Sequence, residues 1–177
     1  DTMTFNIDQT GSTNTLEGVV VGDDSDTVIA ISGSSNDIDL NVCTSATTAG
    51  AGNCEDVDTN INVSGSSNDM VIDVGLNNDA SGLNLDIDVT GGSNTIDMDL
   101  DSSDDGSTYS SVDLDVTGST NTVTIDQTGT LTANTLTLDH TGGTSAFTIT
   151  QTGGTYNNVL DMTTVGDGHT VTINQGQ

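Results

Sequence analysis

Apolar residues alternate with Asp, Asn and Thr in short runs along the chain, as in Asp86-Ile87-Asp88 and Asp97-Met98-Asp99. A period of two marks a strand with one buried face. The runs come in pairs about a short punctuation, Gly-x-x-Asn. It occurs at Gly11/Asn14, Gly33/Asn36, Gly65/Asn68, Gly91/Asn94 and Gly118/Asn121, with degenerate copies at Gly142/Ser145 and Gly166/His169. Each unit therefore reads strand, tight glycine turn, strand, and there are seven of them, with anchors spaced by 22, 32, 26, 27, 24 and 24 residues.

Counting from the anchor aligns the units into columns. Seven residues before it stand Ile7, Ile29, Ile61, Ile87, Leu114, Leu138 and Met162; two after it stand Leu16, Ile38, Met70, Ile96, Val123, Phe147 and Val171. Four after it stand Gly18, Leu40, Ile72, Met98, Ile125, Ile149 and Ile173, and nine before it Phe5, Thr27, Thr59, Leu85, Val112, Leu136 and Leu160. Stacking the units in register at about 4.7–4.9 Å puts like residues above like. The expected fold is all-β: a β-solenoid of seven stacked strand-turn-strand (β-arch) repeats whose two facing sheets enclose a narrow, amyloid-like apolar seam. Residues 1–177 form a single repeat domain, with anchors at Asn14, Asn36, Asn68, Asn94, Asn121, Ser145 and His169. The turn keeps its length while the connection to the next unit varies, so insertions fall on one edge of the stack.

Composition narrows the picture further. Only 31% of residues are hydrophobic and 2% aromatic, and proline is absent, which suits a thin repetitive core better than a thick globular one. The 27 acidic residues face no Lys or Arg, for a formal net charge of −27. Such a surface repels nucleic acid and anionic membrane, and no apolar run is long enough to span a bilayer. Low hydrophobicity with high charge also describes disordered chains, but the periodicity speaks against that. Cys43 and Cys54 stand in the longest insertion with ten residues between them and no metal-ligating partner nearby, and are expected to close that loop as a disulfide. A first residue Asp1 in place of Met is expected where a signal peptide has been removed.

The segment Gln9-Thr-Gly11-Ser-Thr-Asn14 matches Gln-x-Gly-x-x-Asn, and Gln127, Gln151 and Gln175 stand six residues after their anchors. In these residues the chain resembles the curlin repeats of the curli major subunit family. At the glutamine positions of repeats 2 to 4 stand Ile31, Val63 and Val89 upstream and Val42, Val74 and Leu100 downstream, so apolar packing replaces the polar ladder there. The resemblance implies an extracellular functional amyloid, secreted and assembled outside the cell for matrix, adhesion or cell aggregation. Its inward ladder would run through Gln9, Asn14, Asn36, Asn68, Asn94, Asn121, Gln127, Gln151 and Gln175, with turns at Gly11, Gly33, Gly65, Gly91, Gly118, Gly142 and Gly166.

Open strand edges at both ends, with no capping element in the pattern, point to a homopolymer in which repeat 7 meets repeat 1 of another copy. Outward columns carry acidic rows: Asp86/Asp113, Asp88/Asp115/Asp139 and Asp73/Asp99/Asp126. Carboxylates one rung apart repel unless bridged, which makes Ca²⁺ a candidate ligand, although no cofactor is required. The alternative function is a soluble β-solenoid adhesin module that binds Ca²⁺ or, through outward Thr pairs such as Thr122/Thr124 and Thr170/Thr172, ice. Nothing points to an enzyme: His140 occupies an inward glutamine position and His169 an anchor position, and both are expected to hydrogen-bond within the ladder.

Overall fold

Each alternating run is a strand and each Gly-x-x-Asn a corner in the computed structural model. It describes residues 3–20, 25–42, 54–55, 57–74, 80–81, 84–102, 110–129, 134–152 and 159–176. Seven arches follow one another: β1 (Met3–Thr10) with β2 (Thr15–Val20), β3 (Ser25–Ser32) with β4 (Asp37–Val42), and, after the short β5 (Cys54–Glu55), β6 (Asp58–Ser64) with β7 (Asp69–Val74). After β8 (Ala80–Ser81) come β9 (Asn84–Thr90) with β10 (Thr95–Ser102) and β11 (Ser110–Thr117) with β12 (Thr122–Gly129). The last two arches are β13 (Asn134–Thr141) with β14 (Ala146–Thr152) and β15 (Val159–Val165) with β16 (Thr170–Gly176).

The first strands of the arches make one seven-stranded parallel sheet, β1-β3-β6-β9-β11-β13-β15, and the second strands make the other, β2-β4-β7-β10-β12-β14-β16. Register follows the columns without a slip. Ile7 pairs with Ile29, Ile29 with Ile61, Ile61 with Ile87, Ile87 with Leu114, Leu114 with Leu138, and Leu138 with Met162. A slip of one residue would turn every apolar side chain out to water, so burial itself enforces this register. The seam between the sheets is made of these aliphatic columns. Ile29, Ile38, Ile61, Met70, Ile72, Ile87, Ile96, Met98, Leu114, Ile125 and Leu138 are fully buried, each contributing roughly 1.5–3 kcal/mol relative to exposure.

The corners are equally regular. Gly33, Gly65, Gly91 and Gly118 have φ between 134° and 136°, a region essentially closed to residues with a side chain. Two residues on, Thr13, Ser35, Ser67, Ser93, Thr120 and Thr144 are left-handed, and Gly168 holds the equivalent place in the seventh arch. Corner backbones bond from rung to rung, Gly33 N–H donating to the Ser64 carbonyl and Gly65 N–H to that of Thr90, both at 2.8 Å. Hydrogen bonding therefore does not stop where the strands do.

Two features were not legible in the columns. A third, two-stranded parallel sheet joins Cys54–Glu55 to Ala80–Ser81 across the insertions. Cys43 lies outside the described residues, and the loop closure expected of Cys43 and Cys54 falls there too. In addition, Thr27 and Thr59 occupy the buried column nine before the anchor with hydroxyls that have no hydrogen-bond partner. Replacing Thr59 with Val keeps the shape and removes a stranded polar group. Thr59→Val is thus expected to stabilise the chain by about 1 kcal/mol, seen as a higher urea midpoint with an unchanged slope. A lower midpoint would show that the hydroxyl has found a partner. No helix among the described residues is long and apolar enough to cross a membrane.

Candidate functional site

The anchors form a ladder, but one that mixes backbone and side chain. Asn14 N–H donates to Asn36 Oδ1 at 3.1 Å, Asn36 N–H to Asn68 Oδ1 at 3.0 Å, Asn68 N–H to Asn94 Oδ1 at 2.9 Å and Asn94 N–H to Asn121 Oδ1 at 3.0 Å. Asn121 N–H ends the run on Ser145 Oγ at 3.2 Å. Side-chain amides reach back to corner carbonyls, Asn94 Nδ2 to Gly65 and Asn121 Nδ2 to Gly91. Only Asn36 also donates its amide to the next anchor, at 3.1 Å to Asn68 Oδ1. Asn36, Asn68, Asn94, Asn121 and Ser145 thus each satisfy the backbone N–H of the anchor before them, while the amide nitrogens of Asn14 and Asn68 have no hydrogen-bond partner.

A second ladder runs through glutamines. Gln151 Nε2 donates to Gln127 Oε1, and Gln175 Nε2 to Gln151 Oε1, both at 2.8 Å. Gln9 stands in register against Ile31 and has no amide above it to continue with.

The histidines divide. His140 is buried, and its Nδ1–H donates to the Val116 carbonyl one rung below at 2.8 Å, as a ladder member should. Burial pushes its pKa below the ordinary imidazole value, offset in part by that hydrogen bond and reinforced by His169. His169 departs from the expectation: neither ring nitrogen has a hydrogen-bond partner. Its ring stays at its own corner, Nε2 lying 3.1 Å from where a Cβ on Gly166 would stand, and packs against the rings of His140, 4.7 Å away and edge-on, and Phe147, 6.3 Å away.

On the outer surface the acidic rows stand as the columns implied. Asp86 pairs in register with Asp113, Asp88 with Asp115, Asp115 with Asp139, Asp73 with Asp99 and Asp99 with Asp126. Partial burial first, then the carboxylates of Asp99, Asp39 and Asp97, raise the pKa of Asp73. Burial followed by Asp99, Asp126 and Asp69 does the same for Asp97, which stands outside those rows. Burial is again the leading cause for Asp113, with Asp86 next, and for Asp115, with Asp113 and Asp88 next. Asp88, Asp115 and Asp139 share an open polar groove of about 450 Å³ with Asn62, Thr90, Thr117 and Thr141. The carboxylates lie in parallel lines, however, and among the described residues no three His, Cys, Asp or Glu side chains converge as a metal cage requires. On the other sheet Thr124, Thr148 and Thr172 fall into one line, whereas Thr122 and Thr170 are separated by Ala146 and Thr150 faces Asp126.

The ends differ from the middle. Columns fully buried within the stack open to solvent at the terminal arches, with Phe5 47% exposed on β1 and Val171 43% and Ile173 45% exposed on β16. Ile7, Leu16, Leu160 and Met162 are only partly covered. Comparison with protein families, with curated proteins and with solved structures finds no match for this chain.

Proposed function

We propose that this chain is a structural subunit that stacks end to end into an extracellular, curli-like filament, in which the β15/β16 arch of one copy seats on the β1/β2 arch of the next. The observation that carries this reading is the exposure of Phe5, Val171 and Ile173, whose column neighbours inside the stack are buried. A further rung would cover them with residues of the same kind at the same spacing. Both terminal arches also present strand backbone ready for parallel pairing, the arrangement that nucleates strand addition. Contact between unlike ends does not close on itself, so it propagates. The parallel columns and the glutamine ladder support the likeness to curlin repeats, and the extracellular location rests on that likeness alone.

The test is electron microscopy and fibre diffraction of the purified chain. Filaments with a meridional reflection at about 4.7–4.8 Å are expected. The double variant Val171→Asp/Ile173→Asp, which charges one open end, should keep the far-ultraviolet spectrum of the parent and remain monomeric. Monomers of the parent chain at high concentration would overturn the proposal, as would filaments unaffected by the end charges.

A further inference from the structure

His140 and His169 are the only imidazoles in a chain without Lys or Arg, and the fold brings them together from different rungs. His140 sits at the last inward position before the sixth corner, and His169 at the first inward position after the seventh. That diagonal placement sets the ring centres 4.7 Å apart at 87°, with Phe147 5.0 Å from His140 on the third side. Three of the four ring nitrogens, His140 Nε2, His169 Nδ1 and His169 Nε2, are shut off from solvent without a hydrogen-bond partner. Stranded polar atoms of this kind are costly and call for a partner.

We propose that His140 and His169 form a two-imidazole site for a borderline transition-metal ion, Cu²⁺ in preference to Zn²⁺, at the β15/β16 end of the solenoid. His140 is already in the metal-ready tautomer. Its Nδ1–H is held by the Val116 carbonyl, which leaves the lone pair on Nε2 free; metal-bound histidines are usually oriented by such a second bond to a carbonyl or carboxylate.

Separation fits as well. With metal–nitrogen bonds of about 2.0–2.1 Å each ring centre lies about 3.2 Å from the ion, and two rings at right angles about it stand about 4.5 Å apart. The observed 4.7 Å is that of neighbouring ligands in a square or octahedral set. Since both His169 nitrogens are unpartnered, a flip of its ring can present either one to the ion. Paired imidazoles beside a phenyl ring suit copper or zinc and not Ca²⁺. Asp139 and Asp167 are nearby in sequence but exposed, so the remaining positions would be filled by water carried in with the ion.

The experiment is Cu²⁺ titration of the full chain with excess Ca²⁺ present as a competitor at the surface carboxylates, followed by electron paramagnetic resonance and calorimetry. His140→Gln and His169→Asn serve as variants, because the first places at its position the residue that Gln9 supplies in the first repeat and the second restores the anchor asparagine, so both should preserve the stack. One tight equivalent of Cu²⁺ with hyperfine coupling to two nitrogens is expected in the parent chain. Either variant should lose the two-nitrogen signature and weaken binding at least tenfold while its melting curve stays cooperative. An oxygen-only spectrum in the parent, or a two-nitrogen spectrum that persists in both variants because backbone amides supply the donors, would overturn the assignment.

Discussion

Gly65→Ala is expected to prevent the chain from forming its native stack, with a loss on the order of 4 kcal/mol or more. Two effects combine at this corner. Gly65 has φ of 135°, where a side chain is strained whatever the space around it. A Cβ built there would also lie 1.6 Å from the Gly33 carbonyl oxygen. That oxygen belongs to the corner one rung away, so relief requires separating two rungs whose strands are held together by parallel pairing along their whole length. Gly143→Ala is the matched control. Although next to another corner glycine, Gly143 would meet nothing nearer than 3.6 Å, and its substitution is expected to change stability by less than about 0.5 kcal/mol. Circular dichroism and urea denaturation of the two variants give the comparison. A Gly65→Ala protein that melts with the parent would mean that the corners do not stack glycine on glycine.

The same corner explains why so much of the fold was legible. A period of two names strands and their buried face, and a recurring Gly-x-x-Asn fixes where each pair bends. Because every unit repeats the same columns, register can be read by counting from the anchor, as the pairing of Ile7 through Met162 shows. Pairings within a column could be foreseen for the same reason, among them Gln127 with Gln151 and Gln175, and Asp88 with Asp115 and Asp139. What crosses columns could not. The contact of His140 with His169 runs diagonally between two columns and two rungs, and the pairing of Cys54–Glu55 with Ala80–Ser81 arises in insertions that have no repeat to count along. Asp97 belongs to no acidic row because its register neighbours, Val71 and Thr124, are uncharged. Its raised pKa comes from burial and from Asp99, Asp126 and Asp69, outside its own column.

Mild acid and salt are expected to stabilise this protein, the reverse of ordinary acid denaturation. Carboxylates face one another across single rungs at Asp26/Asp58, Asp37/Asp69, Asp73/Asp99, Asp99/Asp126, Asp86/Asp113, Asp88/Asp115 and Asp115/Asp139. At rung spacing each such pair costs about 1 kcal/mol in water-like surroundings before screening, and no Lys or Arg offsets it. Asp73, Asp97, Asp113 and Asp115 all have pKa values above the ordinary carboxylate value, with burial the largest cause and neighbouring carboxylates next. A group whose pKa is higher folded than unfolded binds its proton more readily in the folded state. Stability therefore rises as pH falls through the folded value and levels off near the unfolded value of about 3.9. Burial of His140 works in the opposite direction, since its lowered pKa removes stability once the unfolded imidazole protonates below about pH 6.5. One imidazole is set against rows of carboxylates, so the melting temperature should be higher at pH 4.5 than at pH 7.5. Asp115→Asn should raise the melting temperature at pH 7.5 and change it little at pH 4. Raising NaCl to 1 M, where the Debye length is about 3 Å, should narrow the gap between the two pH values by screening the neutral-pH repulsion. A melting temperature that falls steadily from pH 7.5 to pH 4.5, with no response to salt, would mean that the rows are held by something other than the solvent.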